Sequence, residues 1–271
     1  GSEPTNVNSE YLIPASSIHD VHGLAVDVSD PKKVWIASHT GLYQLSNDKD
    51  LNLVGGGRDD YMGFSSHPTD ANIFYTSGHP STGGNLGFQK STDAGKTWQK
   101  VSNGAGYSTV DFHVMTASAA DSSLIYGWSR GLQRSSDGGS SWKVIESSLN
   151  QDQVMALVAD PQDKNTIYAS ASNFGLLVSR NQGSSWQNVS EILSGDTVAS
   201  VAINPSNNQE LIVYSKKLGL AKSSDGGANW TKLDAPLTGS LVMHISYSRS
   251  DPKTINAMTA NFELDKTIDG G

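Results

Sequence analysis

Ser135-Ser136-Asp137-Gly138-Gly139-Ser140-Ser141-Trp142 is the stretch from which the rest of this chain can be read. It recurs as Ser91-Thr92-Asp93-Ala94-Gly95-Lys96-Thr97-Trp98 and as Ser223-Ser224-Asp225-Gly226-Gly227-Ala228-Asn229-Trp230. A weaker copy runs Ser179-Arg180-Asn181-Gln182-Gly183-Ser184-Ser185-Trp186, and a cut-off copy, Thr267-Ile268-Asp269-Gly270-Gly271, closes the sequence. Asp93, Asp137, Asn181, Asp225 and Asp269 stand 44 residues apart. A fixed period near 40 residues marks a repeat array of supersecondary units. Within each copy the acid followed by glycine specifies a tight turn. The carboxylate accepts from backbone N–H groups ahead of it, glycine supplies positive φ, and the Trp opens the next strand with its ring folded back over the turn.

Outward from these turns, each unit carries the same punctuation. An apolar or alternating run opens it, such as Met155 to Asp160 or Ala199 to Asn204. A turn-rich segment follows, such as Pro161 to Asp163, and then a second β-rich run such as Thr166 to Ala169. A third strand starts near a Gly-Leu pair, Gly131-Leu132 or Gly175-Leu176, and leads into the acid turn; the Trp begins a fourth. Six such units fit the chain, predicting an all-β, six-bladed β-propeller with four-stranded antiparallel blades. Seven blades would need chain past residue 271. The first unit lacks the turn motif, with Ser46 to Asp50 in its place, and the second carries a Gly-rich insertion from His79 to Asn85. The sixth unit stops before its fourth strand. Tyr11-Leu12-Ile13-Pro14 precedes the first unit as Trp230 to Leu233 precedes the sixth, so the N-terminal strand is expected to close the last blade and remove an exposed edge.

The motif resembles the Asp-box (BNR) repeat, S-x-D-x-G-x-x-W, of sialidases, sortilin-like receptors, xyloglucan hydrolases and photosystem-assembly propellers. The resemblance implies the propeller fold, with boxes at the blade periphery away from the active face. It points to a bacterial, exported protein of the glycosyl hydrolase-like BNR type. A true sialidase is not implied: that family carries an arginine triad and an early Arg-Ile-Pro segment. The five arginines here are Arg58, Arg130, Arg134, Arg180 and Arg249, and none belongs to such a segment.

Composition narrows the function. The net charge is −8 and no Lys/Arg cluster occurs, so nucleic acid is not an expected partner. No apolar run reaches the length of a membrane span. Cysteine is absent, which excludes disulfides, thiolate catalysis and Cys-ligated metals. Gly1-Ser2 reads as a tag remnant and Glu3 to Glu10 as a polar tether of the kind left by a removed leader or lipid anchor, leaving residues 11–271 as one domain. Export to the extracellular space or cell surface is the expectation, and a closed ring without free edges is expected to be a monomer.

Aligning the units in register gives columns. The residue opening the innermost strand reads His22, Met62, His113, Met155, Ala199, Met243, and two positions earlier the column reads Asp20, Asp60, Asp111, Gln153, Thr197, Leu241. After the second strand stand His39 and His79 at equivalent positions, with Arg130 in the third unit. In a propeller these positions surround one mouth of the central channel, so the imidazoles and acids of units one to three should converge there, with the Asp boxes at the opposite end. Two chemistries fit. The first is a transition-metal site, copper or zinc, using His22, His39, His79, His113 and Met62, with Asp60 or Asp111 as ligand or orienting group. The second is glycoside hydrolysis by a carboxyl pair from Asp20, Asp60 and Asp111, with Tyr61 or Trp128 as a sugar platform and Asn85 and Arg130 as further ligand contacts. A third role, an assembly scaffold for a protein partner, follows from the photosystem-assembly relatives alone.

Overall fold

The computed structural model describes residues 12–106, 108–149, 154–234 and 240–271. Tyr11, Gln153 and the tether of residues 1–10 lie outside them. The strands fall into six sheets. Blade one holds β1 (Leu12–Pro14), β2 (Val21–Val26), β3 (Lys33–Ser38), β4 (Gly41–Ser46) and β5 (Asp50–Val54). Blade two holds β6 (Asp60–Ser66), β7 (Phe74–His79), β8 (Phe88–Ser91) and β9 (Gln99–Ser102). Blade three holds β10 (Val114–Ala117), β11 (Ile125–Trp128), β12 (Leu132–Ser135) and β13 (Lys143–Val144). Blade four holds β14 (Val154–Ala159), β15 (Ile167–Ala171), β16 (Gly175–Ser179) and β17 (Gln187–Asn188). Blade five holds β18 (Val198–Asn204), β19 (Asn207–Ser215), β20 (Gly219–Ser223) and β21 (Thr231–Lys232). Blade six holds β22 (Val242–Tyr247), β23 (Ile255–Thr259) and β24 (Leu264–Thr267). The first strand of each unit is innermost, and β2, β6, β10, β14, β18 and β22 touch in sequence and back to β2, closing the ring. Among the described residues no helix is long and apolar enough to cross a membrane.

The core consists of six apolar clusters, one per seam between blades. Trp35 and Leu42 meet Phe64 and Phe74 at the first seam, and Tyr75 and Phe88 meet Phe112 and Ile125 at the second. Further clusters fill the seams of blades three and four, four and five, and five and six. At the last seam Met258 of blade six packs on Val34, Ile36, Tyr43 and Leu53 of blade one. Alternating strands expose two faces, and stacking blade on blade buries both; each fully buried Phe or Leu contributes about 1.5–3 kcal/mol.

The Asp boxes are built as their residues dictate. Ser135 Oγ donates to Asp137 Oδ1 at 2.8 Å and accepts from Gly139 N at 2.8 Å. Asp137 accepts from Ser141 N at 2.9 Å and Ser141 Oγ at 2.6 Å. The Trp142 indole donates to Gly139 O at 3.0 Å, tying ring to turn. The Ser141 hydroxyl, then the Ser141 amide and the Ser135 hydroxyl, hold the Asp137 carboxyl down at about 2. In the degenerate copy Asn181 Oδ1 takes the same place, accepting from Ser179 Oγ at 2.9 Å and Ser185 N at 2.9 Å. The boxes join third to fourth strands, so they lie at the end of the ring opposite to where the innermost strands begin.

Gly139 has φ 92° and any Cβ there would overlap the Phe88 ring of the preceding blade. Gly139→Ala should therefore cost about 3 kcal/mol, combining the left-handed backbone with overpacking. Urea unfolding is the measurement, and a loss below about 0.5 kcal/mol would contradict this account of the turn.

Closure differs from the sequence expectation. The N-terminal strand does not complete blade six; it adds to the outer edge of blade one, with Leu12 opposite Val54, Ile13 opposite Leu53 and Pro14 opposite Asn52. Blade one lacks the box. A tight turn with Asn47 and Asp48 at φ 54° and 60° joins β4 to β5 instead, and it launches a five-residue strand where blades three to five have two-residue fourth strands. That longer edge offers more pairing to an incoming strand, and Pro14 tolerates an outermost position because it has no N–H to lose. Among the described residues blade six holds three strands. The ring is closed by seam packing, by Val26 N donating to Ser246 Oγ at 3.1 Å, and by the His244 imidazole against Val21 O at 3.2 Å.

Candidate metal centre

The innermost strands share a device that aims side chains at the channel. In blades one, two, four, five and six the pairing of the first two strands slips by one residue near its start. His22 is the extra residue in blade one, between Val21 opposite Ser38 and Gly23 opposite Ala37. A bulge of this kind turns its residue out of the ladder and is common beside functional sites. His22 lines the axial channel, a cavity of about 220 Å³, together with His113, Met115, Met155, Met243 and His244. Met62 lies in the corresponding bulge of β6, between Asp60 and Gly63.

Two imidazole pairs gather on two carboxylates. His39 Nδ1 lies 2.6 Å from Asp60 Oδ2, and His22 Nε2 lies 3.7 Å from Asp60 Oδ1. The His22 and His39 rings meet edge to face, 4.3 Å between centroids. One ligand atom from each of His22, His39 and Asp60 falls within 4.8 Å of the other two. In the next seam His79 Nε2 and His113 Nε2 lie 3.1 and 2.8 Å from Asp111 Oδ2. Backbone bonds fix these positions: His39 N donates to Asp20 O at 3.3 Å and His113 N to Trp128 O at 2.8 Å.

Three polar atoms of the two clusters are buried without a hydrogen-bond partner: His22 Nε2, Asp60 Oδ1 and Asp111 Oδ1. Orphaned buried groups of this sort are rare, and each calls for a physical reason such as an ion. Burial, then the neighbouring His39, lowers the His22 imidazole below its ordinary value despite the opposing pull of Asp60. A neutral imidazole with a free nitrogen lone pair is a metal ligand in its binding form. The hydrogen bond that His113 donates to Asp111 raises its imidazole in the opposite direction, against burial.

His22 and His39 meet Asp60, and His79 and His113 meet Asp111, at the mouth of blades one to three. Asp20 stands exposed at the rim at φ 54°, contributing its carbonyl to His39 rather than a carboxylate to either cluster. Asn85 and Arg130 line a cleft of about 530 Å³ beside Asp111, with His79 and His113. Tyr61 and Trp128 are not sugar platforms. They are 2% and 6% exposed, because both belong to strands whose rings fill seams, Tyr61 against Trp98 and Trp128 among Leu132, Leu149 and Val154. His244 was missed: it follows the column residue Met243 by one, and its place became evident only when blade six met blade one. The Gly-rich insertion also has a use, since Gly84 O contacts His79 Nδ1 at 2.8 Å and Asp59 Oδ1 accepts from Ser81 N at 3.0 Å.

Comparison with known proteins supports the fold. The family model for sortilin, neurotensin receptor 3 (Sortilin-Vps10) matches residues 174–269. No curated protein matches the chain. Among solved structures, the GH74 xyloglucanase from Xanthomonas campestris superposes with a TM-score of 0.61 at 14% identity, covering 96% of this chain and 53% of that one. An ancestral GH74 enzyme gives 0.61 at 17% identity, over 92% of this chain and 36% of that one. YCF48 bound to a D1 peptide gives 0.56 at 13% identity, over 95% and 96% of the two chains. The chain thus spans about half the length, or less, of the GH74 enzymes it matches and nearly the full length of YCF48. The chain folds as a six-bladed β-propeller whose turns carry the BNR-like box.

Proposed function

We propose that this propeller binds a first-row transition-metal ion, zinc or copper, between His22, His39 and Asp60 at the mouth of blades one to three. The observation that carries the reading is the pair of buried, bondless atoms His22 Nε2 and Asp60 Oδ1, 3.7 Å apart. Tetrahedral zinc ligands at about 2.0–2.1 Å stand about 3.3–3.4 Å from one another, so that spacing needs only a few tenths of an ångström of closure. Two imidazoles and one carboxylate suit zinc, copper, iron or nickel. The carboxylates fit the hydrolytic alternative less well. Asp60 and Asp111 each lie against two imidazoles instead of standing free across a sugar cleft, and the aromatic rings that would hold a sugar are buried. Likeness to GH74 enzymes at this identity carries fold and not activity.

Protein purified without chelator and titrated with zinc(II) or copper(II) should bind metal, as read by elemental analysis after gel filtration. His22→Ala/His39→Ala should abolish binding at this site with the circular dichroism spectrum unchanged. Retention of the ion by that folded variant would remove the proposed ligands.

A further inference from the structure

The seam between blades five and six is built like its neighbours but lacks their indole ring. In the seam of blades three and four, Leu132, Ile145 and Ile167 share a cluster with Trp186. One seam further, Leu176, Val189 and Leu211 share a cluster with Trp230. The residues 44 positions on, Leu220, Leu233 and Ile255, form the next cluster, and no indole packs among them. In its place they line a groove of about 340 Å³, together with Asp234, Asp265 and Asp269. Exposure follows the missing ring. Leu132 and Leu176 are 0% and 1% exposed, whereas Leu220 is only half-buried.

The polar end of an indole is also provided for. Trp142 donates its ring N–H to Ser102 Oγ at 3.0 Å, and Trp230 donates to Ser190 Oγ at 3.2 Å. Asp234 holds that place in the repeat, on the groove wall, and a carboxylate is an acceptor. The backbone beside the groove is open as well. In blades three to five a fourth strand pairs with the third, Arg134 opposite Lys143, Val178 opposite Gln187 and Lys222 opposite Thr231. Ile145 N, Val189 N and Leu233 N then donate to Leu132 O, Leu176 O and Leu220 O, at 2.9 Å each. Among the described residues β24 has β23 on one side and no strand on the other. Leu264 O stands in the place of those carbonyls, and an edge of this kind is a template for an added strand. The rim is acidic: Lys266, the one cation among the lining residues, pairs with Asp48 at 3.0 Å. Ile268 beside it is 71% exposed, where the other boxes carry Thr92, Ser136, Arg180 and Ser224.

We propose that blade six takes a fourth strand in trans: an extended segment of a partner protein pairs with β24 and seats a tryptophan ring in the groove. The register of the other blades sets its motif. The Trp is followed by a residue opposite Lys266, then a cation opposite Asp265, then an aliphatic residue whose N–H reaches Leu264 O. Trp230-Thr231-Lys232-Leu233 has that order, with Lys232 opposite Ala221 and Thr231 opposite Lys222 in its own blade. The site is separate from the metal centre and does not depend on it.

Titration of the isotope-labelled full chain with a free peptide of the sequence Gly227 to Leu233, amidated at its end, tests the proposal by NMR. Saturable shifts should centre on Leu220 and on Leu264 to Thr267. Trp230→Ala in the peptide should weaken binding at least about tenfold. Methylating the backbone nitrogen of the peptide's Leu233, which removes the N–H meant for Leu264 O, should weaken it as much. Leu220→Arg in the protein should abolish binding with the circular dichroism spectrum unchanged. Should that variant fold poorly, the methylated peptide leaves the protein untouched and decides the strand pairing alone. No saturable binding at millimolar peptide overturns the proposal. Equal binding by the Trp230→Ala peptide, or shifts confined to another blade, overturns the groove as the site. Concentration-dependent dimers that cover β24 without peptide overturn the partner strand in favour of a second copy.

Discussion

Zinc at a thousandfold excess over its dissociation constant should raise the unfolding free energy of the native chain by about 4 kcal/mol through the proposed site at His22, His39 and Asp60. The ligands explain why the effect is large. His22 and His39 come from blade one and Asp60 from blade two. An ion between them ties together segments that separate on unfolding, and the unfolded chain has no preformed site to compete for it. For a domain of this size about 4 kcal/mol corresponds to a rise in Tm of roughly 10 °C, reversed by EDTA. Differential scanning calorimetry of the native chain and of the His22→Ala/His39→Ala variant makes the comparison. Equal shifts in the two, or no shift in a native chain shown to hold metal, would place the ion elsewhere.

Acid should weaken the ring at its closing seam. Burial pushes the His244 imidazole down to about 4, only partly offset by its bond to Val21 O, with the neighbouring His22 pushing the same way. A histidine with a depressed folded value is neutral in the fold while the unfolded chain takes up a proton near 6.5. Stability is therefore lost as pH falls from about 6.5 to about 4, and levels off below. The gap corresponds to about 3 kcal/mol, and about 2 kcal/mol is a realistic share once relaxation of the seam is allowed for. His22, also lowered, adds to the loss over the same direction of pH. His113, raised by Asp111, opposes it: its contribution is complete in acid and disappears as pH climbs through its folded value. Urea unfolding of metal-free protein at pH 7.5 and 4.5 should show the net loss. His244→Gln, which keeps an N–H for Val21 O but cannot titrate, should flatten the dependence; identical slopes in the two proteins would relieve His244 of the role.

Much of this was legible in one dimension because it is encoded locally. The Ser-x-Asp-x-Gly-x-x-Trp turn closes on hydrogen bonds within eight residues, as Ser135, Asp137, Gly139, Ser141 and Trp142 show, so its recurrence every 44 residues marks units two to six, and the boxless strand pattern ahead of them supplies the first. Aligning the units strand by strand, across unequal spacings in the first three, put His22, Asp60, Asp111 and His113 in comparable places at the start of innermost strands, and ring closure then had to gather them. What the tertiary structure alone decided was competition between equivalent partners. Leu12 to Pro14 has the pattern of any fourth strand, and only the longer edge left by the boxless hairpin of blade one drew it there instead of to blade six. Tyr61 and Trp128 are aromatic residues near the mouth whose rings turn into seams because packing there buries more apolar surface than the rim offers. His244 became part of the site only when the last blade met the first, and the pairing of His22 with His39 on Asp60, and of His79 with His113 on Asp111, depends on side-chain directions set by bulges and seams. Periodicity specifies which strands exist and roughly where each side chain stands; which edge a strand joins, and which two imidazoles share a carboxylate, follow from three-dimensional packing between segments that carry the same local code.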